Sequence, residues 1–183
     1  MNHLEQLVSE WYEYRGYFVR RNARVARRPA GGHEGELDVV ALHPEKKHLV
    51  HIETSMDALS WERREERFKK KFEVGRKCIP KLFSGMSVPS DVEQIALLGY
   101  GGKGGRTLLA GAKILLVPEL LEQILRELGT KSMHSEAVPE QFFLLRTLHF
   151  VAQHRGFLAE SLSPRSRSNT QLNRTRATTA RAG

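Results

Sequence analysis

Asp38 and Glu53 are the residues whose type and spacing best suit chemistry. They lie in the stretch from Gly35 to Asp57, where two apolar-alternating runs flank the turn Pro44-Glu45-Lys46-Lys47, the pattern of a β-hairpin. Side chains alternate faces along a strand, so Leu37, Val39 and Ala41 are expected on one side, Glu36 and Asp38 on the other. By the same count Glu53 and Ser55 share a face, with Val50, Ile52 and Thr54 opposite. Such a hairpin can set Asp38 beside Glu53. Adjacent carboxylates repel each other, and a hard cation such as Mg²⁺ between them relieves the repulsion.

The segments Glu36-Leu37-Asp38 and His51-Ile52-Glu53-Thr54-Ser55, preceded by an amphipathic first helix and Gly16-Tyr17-Phe18-Val19, resemble the signature of the PD-(D/E)xK nuclease superfamily. Within it the pattern is similar to that of Mrr-type restriction endonucleases and Holliday-junction-resolvase-like proteins. The resemblance covers roughly residues 1–125. It implies a three-layer, restriction-endonuclease-like α/β fold, a metal-dependent DNA endonuclease of restriction or junction-resolving type, and Mg²⁺ or Mn²⁺ held by Asp38 and Glu53. It also implies the Thr54 carbonyl as a third ligand and Glu5, from the first helix, as an auxiliary one. The chain departs from the pattern at Ser55, which stands at the family's lysine position and cannot supply that charge.

Phosphodiester hydrolysis needs a nucleophilic water near neutral pH and stabilisation of the charge that builds on the phosphoryl oxygens, and a carboxylate-held Mg²⁺ can provide both. The charge missing at Ser55 would come from His51 on the same strand face, or from Lys69, Lys70 or Lys71 in the following helix. The alternative is a catalytically degenerate nuclease-fold module that binds nucleic acid or a protein partner without cleaving. His33, His43 and His48 lack the spacing of zinc ligands and are expected in loops.

The net charge of +8 is unevenly spread. Arg165, Arg167, Arg174, Arg176 and Arg181 lie in the last 23 residues with no acid among them, which leaves +3 for the preceding 160. Positive charge also clusters at Arg15, Arg20, Arg21, Arg24, Arg27 and Arg28, and again between Arg63 and Lys81, although Glu62, Glu65, Glu66 and Glu73 lie among the second group. Such clusters suit a polyanion, DNA being the expected partner. No apolar run approaches the roughly 20 residues of a membrane span, no leader pattern opens the chain, and the single Cys78 excludes an internal disulfide, so a cytoplasmic protein is expected.

The remaining elements frame the hairpin. Leu4, Leu7, Val8 and Trp11 recur at helical spacing before Gly16, predicting a helix over 3–15. A strand is expected over 17–25. Trp61, Phe68, Phe72 and Ile79 form one helical stripe that also includes Gly75, with Ser60 as N-cap and Pro80 limiting the end. Strands over 92–100 and 112–117 and a helix over 118–128 complete an α/β core with a mixed central sheet flanked by helices. The Gly101–Arg106 loop lacks the order of a phosphate-binding P-loop and reads as a turn. Residues 1–128 are thus expected as the nuclease-like core and 129–160 as a C-terminal helical extension. The helix of that extension, 139–154, would dock on the core or form a homodimer. Residues 161–183 read as a disordered basic tail.

Overall fold

Asn2 begins the first helix, α1 (His3–Tyr14), in the computed structural model, which describes residues 2–162. Its side-chain oxygen accepts the backbone N–H of Leu4 and of Glu5, both at 2.9 Å, and the Glu5 carboxylate accepts the Asn2 N–H in return, a reciprocal capping box. Leu4, Leu7, Val8 and Trp11 turn to the core as their spacing predicts.

Six strands follow: β1 (Phe18–Arg27), β2 (His33–His43), β3 (His48–Ser55), β4 (Glu93–Leu98), β5 (Leu108–Leu109) and β6 (Ala112–Leu116). They form one sheet in the order β1-β2-β3-β4-β6-β5. β1, β2 and β3 are antiparallel neighbours, β3, β4 and β6 run parallel, and β5 returns antiparallel to β6. The mixed sheet is therefore as expected. β5 is an addition, a two-residue pairing too short to show a period in the sequence.

Helix α2 (Trp61–Leu82) connects β3 to β4, capped by the Ser60 hydroxyl, and covers one face of the sheet with Phe68, Phe72 and Ile79. The helix runs two residues beyond Pro80, correcting the expected end, since a proline in the final turn forfeits only its own N–H rung. The other face is packed by α1, α3 (Val117–Leu128) and α4 (Phe143–Gln153), whose Leu120, Ile124, Leu128, Leu145 and Ala152 join Val39, Ala41, Val50 and Ile52 in one cluster.

Leu37 departs from the expected alternation. It packs with Val40 and Leu42 on the α2 side, away from Val39 and Ala41. The pairing of β1 with β2 passes from Arg21↔Val39 to Ala23↔Leu37, and between them Asn22 is left-handed, with φ 47°, which disturbs the pleat beside Asp38. His33, His43 and His48 also differ from expectation, lying at strand ends and not in loops.

Helix α4 docks on the core. Glu10, 1% exposed on α1, accepts the N–H groups of Leu144 and Leu145 at 2.9 and 3.1 Å, so a carboxylate from one helix caps the positive end of another. Residues 129–153 accordingly belong to the first of two compact units, Met1–Gln153. In the second, His154–Gly183, the described residues form α5 (Arg155–Leu162). Ser161 and Leu162 end that helix, and the rest of the expected basic tail lies outside the described residues. Among the described residues no helix is long and apolar enough to cross a membrane.

Candidate active site

The β2–β3 ladder runs from His43↔His48 to Val39↔Ile52 and stops there. β2 continues against β1 as far as Arg27↔His33, and β3 continues against β4 as far as Ser55↔Leu98, so the two strands part. Asp38 and Glu53 are the first residues beyond the last rung. Their side chains replace it: the Asp38 N–H donates to Glu53 Oε1 at 3.3 Å, and Asp38 Oδ2 accepts the Thr54 N–H at 2.8 Å and the Thr54 hydroxyl at 3.1 Å. Backbone donors that would be orphaned in the opening are thereby satisfied, which stabilises both carboxylates in a largely buried position.

One oxygen of each carboxylate is thus committed to the strands, and the other faces α2. Lys71 Nζ lies 2.8 Å from Asp38 Oδ1 and also pairs with Glu53 Oε2. Burial works against the Lys71 charge, but the Glu53 and Asp38 carboxylates outweigh it and hold the ammonium above the usual lysine range. Lys71 is therefore charged throughout the neutral range. The sequence narrows the supply of charge to Lys69, Lys70, Lys71 or His51, and a further signal singles out Lys71. It falls three residues after Phe68 and four before Gly75, on the helical stripe that meets the sheet, whereas Lys69 and Lys70 point to solvent.

His51, fully buried, supports Glu53 from the same strand. Its Nε2 lies 2.7 Å from Glu53 Oε1, its Nδ1 lies 3.3 Å from the Gln94 side-chain amide, and its ring meets Phe72 edge-on with centroids 5.3 Å apart. Gln94 also donates to the Phe72 carbonyl at 3.1 Å, tying α2 to β4 behind the site. The ring fits against α2 because position 75 is glycine: a β-carbon there would stand 2.5 Å from His51 Nδ1. Gln94 carries no sequence signal, since its part depends on the parallel register that pairs it with His51.

The other expected residues fall around this centre. Ser55 is buried and bonds Asp57, accepting its N–H at 3.3 Å, while the cation beside the carboxylates is Lys71 of α2. Thr54, placed by simple alternation on the face away from Asp38, reaches it across the parted strands. Glu5 bonds Asn2 and accepts the Asn22 amide at 2.9 Å. Asn22 lies between the pairs Arg21↔Val39 and Ala23↔Leu37, and the side chains that bond the Asp38 and Glu53 carboxylates are Thr54, His51 and Lys71, so the bonds of Glu5 to Asn2 and Asn22 do not reach the carboxylate pair.

Among the described residues no three His, Cys, Asp or Glu side chains are grouped to hold a metal ion. The site instead offers two carboxylate oxygens converging on one cationic atom, and this donor set suits a hard divalent ion that keeps several waters, as Mg²⁺ does. No protein-family model, curated protein or solved structure matches the chain.

Proposed function

We propose that the chain is a metal-dependent phosphodiesterase acting on nucleic acid, with a DNA endonuclease of restriction or junction-resolving type as the specific reading and a three-layer, restriction-endonuclease-like core as its frame. The observation that carries this reading is the convergence of Asp38, Glu53 and Lys71 at the point where β2 and β3 part. Asp38 and Glu53 would hold Mg²⁺ or Mn²⁺, with the Thr54 carbonyl as the third protein ligand and Glu5 behind them. The bound cation supplies Lewis acidity and lowers the pKa of water.

The chain's own residues supply the rest. Lys71, which donates hydrogen bonds to both carboxylates, would hold an attacking water or stabilise negative charge on the phosphoryl oxygens. His51 and the Asp38 N–H fix Glu53, and Thr54 fixes Asp38, so a cation arriving at the oxygens that face α2 would displace the Lys71 ammonium while the carboxylates keep their places. The arginines of β1 at 20, 24 and 27, all exposed, offer phosphate contacts on the strand next to β2.

The test is nicking of supercoiled plasmid and of branched DNA by purified protein with Mg²⁺ or Mn²⁺. Activity that stops with EDTA, and is lost in both Asp38→Ala and Glu53→Ala while circular dichroism stays native, supports the assignment. Wild-type activity in either variant overturns it.

A further inference from the structure

On the sheet face opposite Asp38 and Glu53, a cavity of about 350 Å³ opens where β3, β4 and β6 begin. Its floor is apolar: Ile52, Ile95, Leu97 and Leu120 line it and are buried. One wall is aromatic. Tyr12 and Tyr17 meet edge to face with centroids 5.0 Å apart, and Trp11 carries the Arg15 guanidinium 5.1 Å above its ring.

The mouth is polar and cationic. Lys46, Lys113 and Arg15 line it and are exposed. Glu93 is the one carboxylate in the lining, and it is engaged by a relay in which His48 Nε2 lies 3.0 Å from its Oε2 while His48 Nδ1 lies 2.8 Å from the Tyr17 hydroxyl. Arg15 reaches Glu127 only at 3.9 Å, and neither Lys46 nor Lys113 makes an ion pair among the described residues.

We propose that this cavity binds a small organic anion with a flat aromatic body, the body on the apolar floor against Trp11 and Tyr12 and the anionic group at Lys46 and Lys113. The volume falls in the range of ligand pockets, about 300–1,000 Å³. An inorganic anion alone would leave the floor unfilled, and a neutral hydrocarbon would leave the cations at the mouth unused. Tyr12 and Gln123 add hydrogen-bonding groups that orient the bound ring.

Anilinonaphthalene sulfonate, an aromatic anion, is the probe. In a full-length Trp61→Phe variant Trp11 is the sole tryptophan, because the chain has two. The expected result is saturable quenching of Trp11 with transfer to the probe at one-to-one stoichiometry. Lys46→Glu combined with Lys113→Glu, both at exposed positions, should weaken binding by about tenfold or more. Naphthoate and adenosine monophosphate as competitors then distinguish a carboxylate ligand from a phosphate one, and inorganic phosphate at equal concentration should displace nothing. Calorimetric titration of the probe into the wild type and the double lysine variant gives the same comparison without the tryptophan change. The proposal is overturned if the probe fluoresces without quenching Trp11, if charge reversal leaves its affinity unchanged, or if inorganic phosphate alone displaces it.

Discussion

The Asp38 amide donates to the Glu53 carboxylate at 3.3 Å, at the position where the next rung of the β2–β3 ladder would have joined their backbones. A side chain thus completes hydrogen bonding where the sheet opens, and the opening is what leaves two carboxylate oxygens facing α2. The arrangement is held mainly by backbone and buried partners, so it is formed before any ligand arrives.

Lys71 should be the cation on which cleavage depends. Lys71→Met is expected to lower the metal-dependent cleavage rate by about 100- to 1,000-fold, the usual loss for a single preorganised donor. Its stability cost should be about 1–3 kcal/mol, because it removes charge-assisted bonds to two carboxylates at a partly exposed position. Lys69→Ala and Lys70→Ala, at exposed positions, should cleave within about threefold of wild type. Initial rates on plasmid DNA and urea unfolding decide both points, and a normal rate in Lys71→Met would remove it from the site.

Ser55→Lys tests whether the ammonium can be supplied from the strand. With Lys71 in place a second ammonium would adjoin the first, so the single variant should gain nothing. Combined with Lys71→Met, it should recover part of the lost rate. If the double variant stays as inactive as Lys71→Met while its fold is native, the Ser55 side chain does not project to the carboxylates.

Gly75→Ala should separate α2 from β3. The added methyl meets the His51 ring, which Glu53 and Gln94 hold in place, so helix and strand must move apart. Alanine's better helix propensity returns about 1 kcal/mol, yet a net loss of about 1–3 kcal/mol is expected from overpacking. Cleavage should fall with it, because Lys71 lies one turn away on the same face. Unchanged urea stability would show that the contact is absent in solution.

Alkaline pH should expose the Lys71 contribution. Its pKa is raised in the folded state above the ordinary 10.5, so the stability it confers is complete below that value and is lost as pH climbs through the folded one. Tyr12, raised mainly by burial and then by Glu93 above the ordinary 10.0, has the same sign. Urea midpoints should therefore decline above about pH 10, and in Lys71→Met the decline should be shallower. An identical decline in the variant would show that Lys71 is not the group responsible.

Much of this arrangement is legible in the residues themselves. The alternation of Val39 to Leu42 and of Leu49 to Ile52 marks the hairpin, and the period of Phe68, Phe72 and Ile79 marks the face of α2. The parting of β2 and β3 is not legible, because it depends on each strand continuing against a further neighbour, β2 against β1 and β3 against the parallel β4. Simple alternation cannot place Leu37 on the face of Val40 and Leu42, and the approach of Gln94 to His51 depends on the β3–β4 register. The offset of Lys71 from Phe68 and Gly75 distinguishes it from Lys69 and Lys70, because only Lys71 falls on the buried stripe of α2.

Gly75 gives α2 a seat against β3 with a depth set by the missing methyl and a rotation set by Phe72. The carboxylates and the ammonium are consequently aligned by two independent settings, the pairing of one strand and the seating of one helix. A one-residue insertion between Lys71 and Gly75 would turn the lysine by about 100° while leaving every strand contact in place. What such a site must preserve is the point at which the ammonium arrives beside the carboxylates, and not its distance along the chain from Glu53.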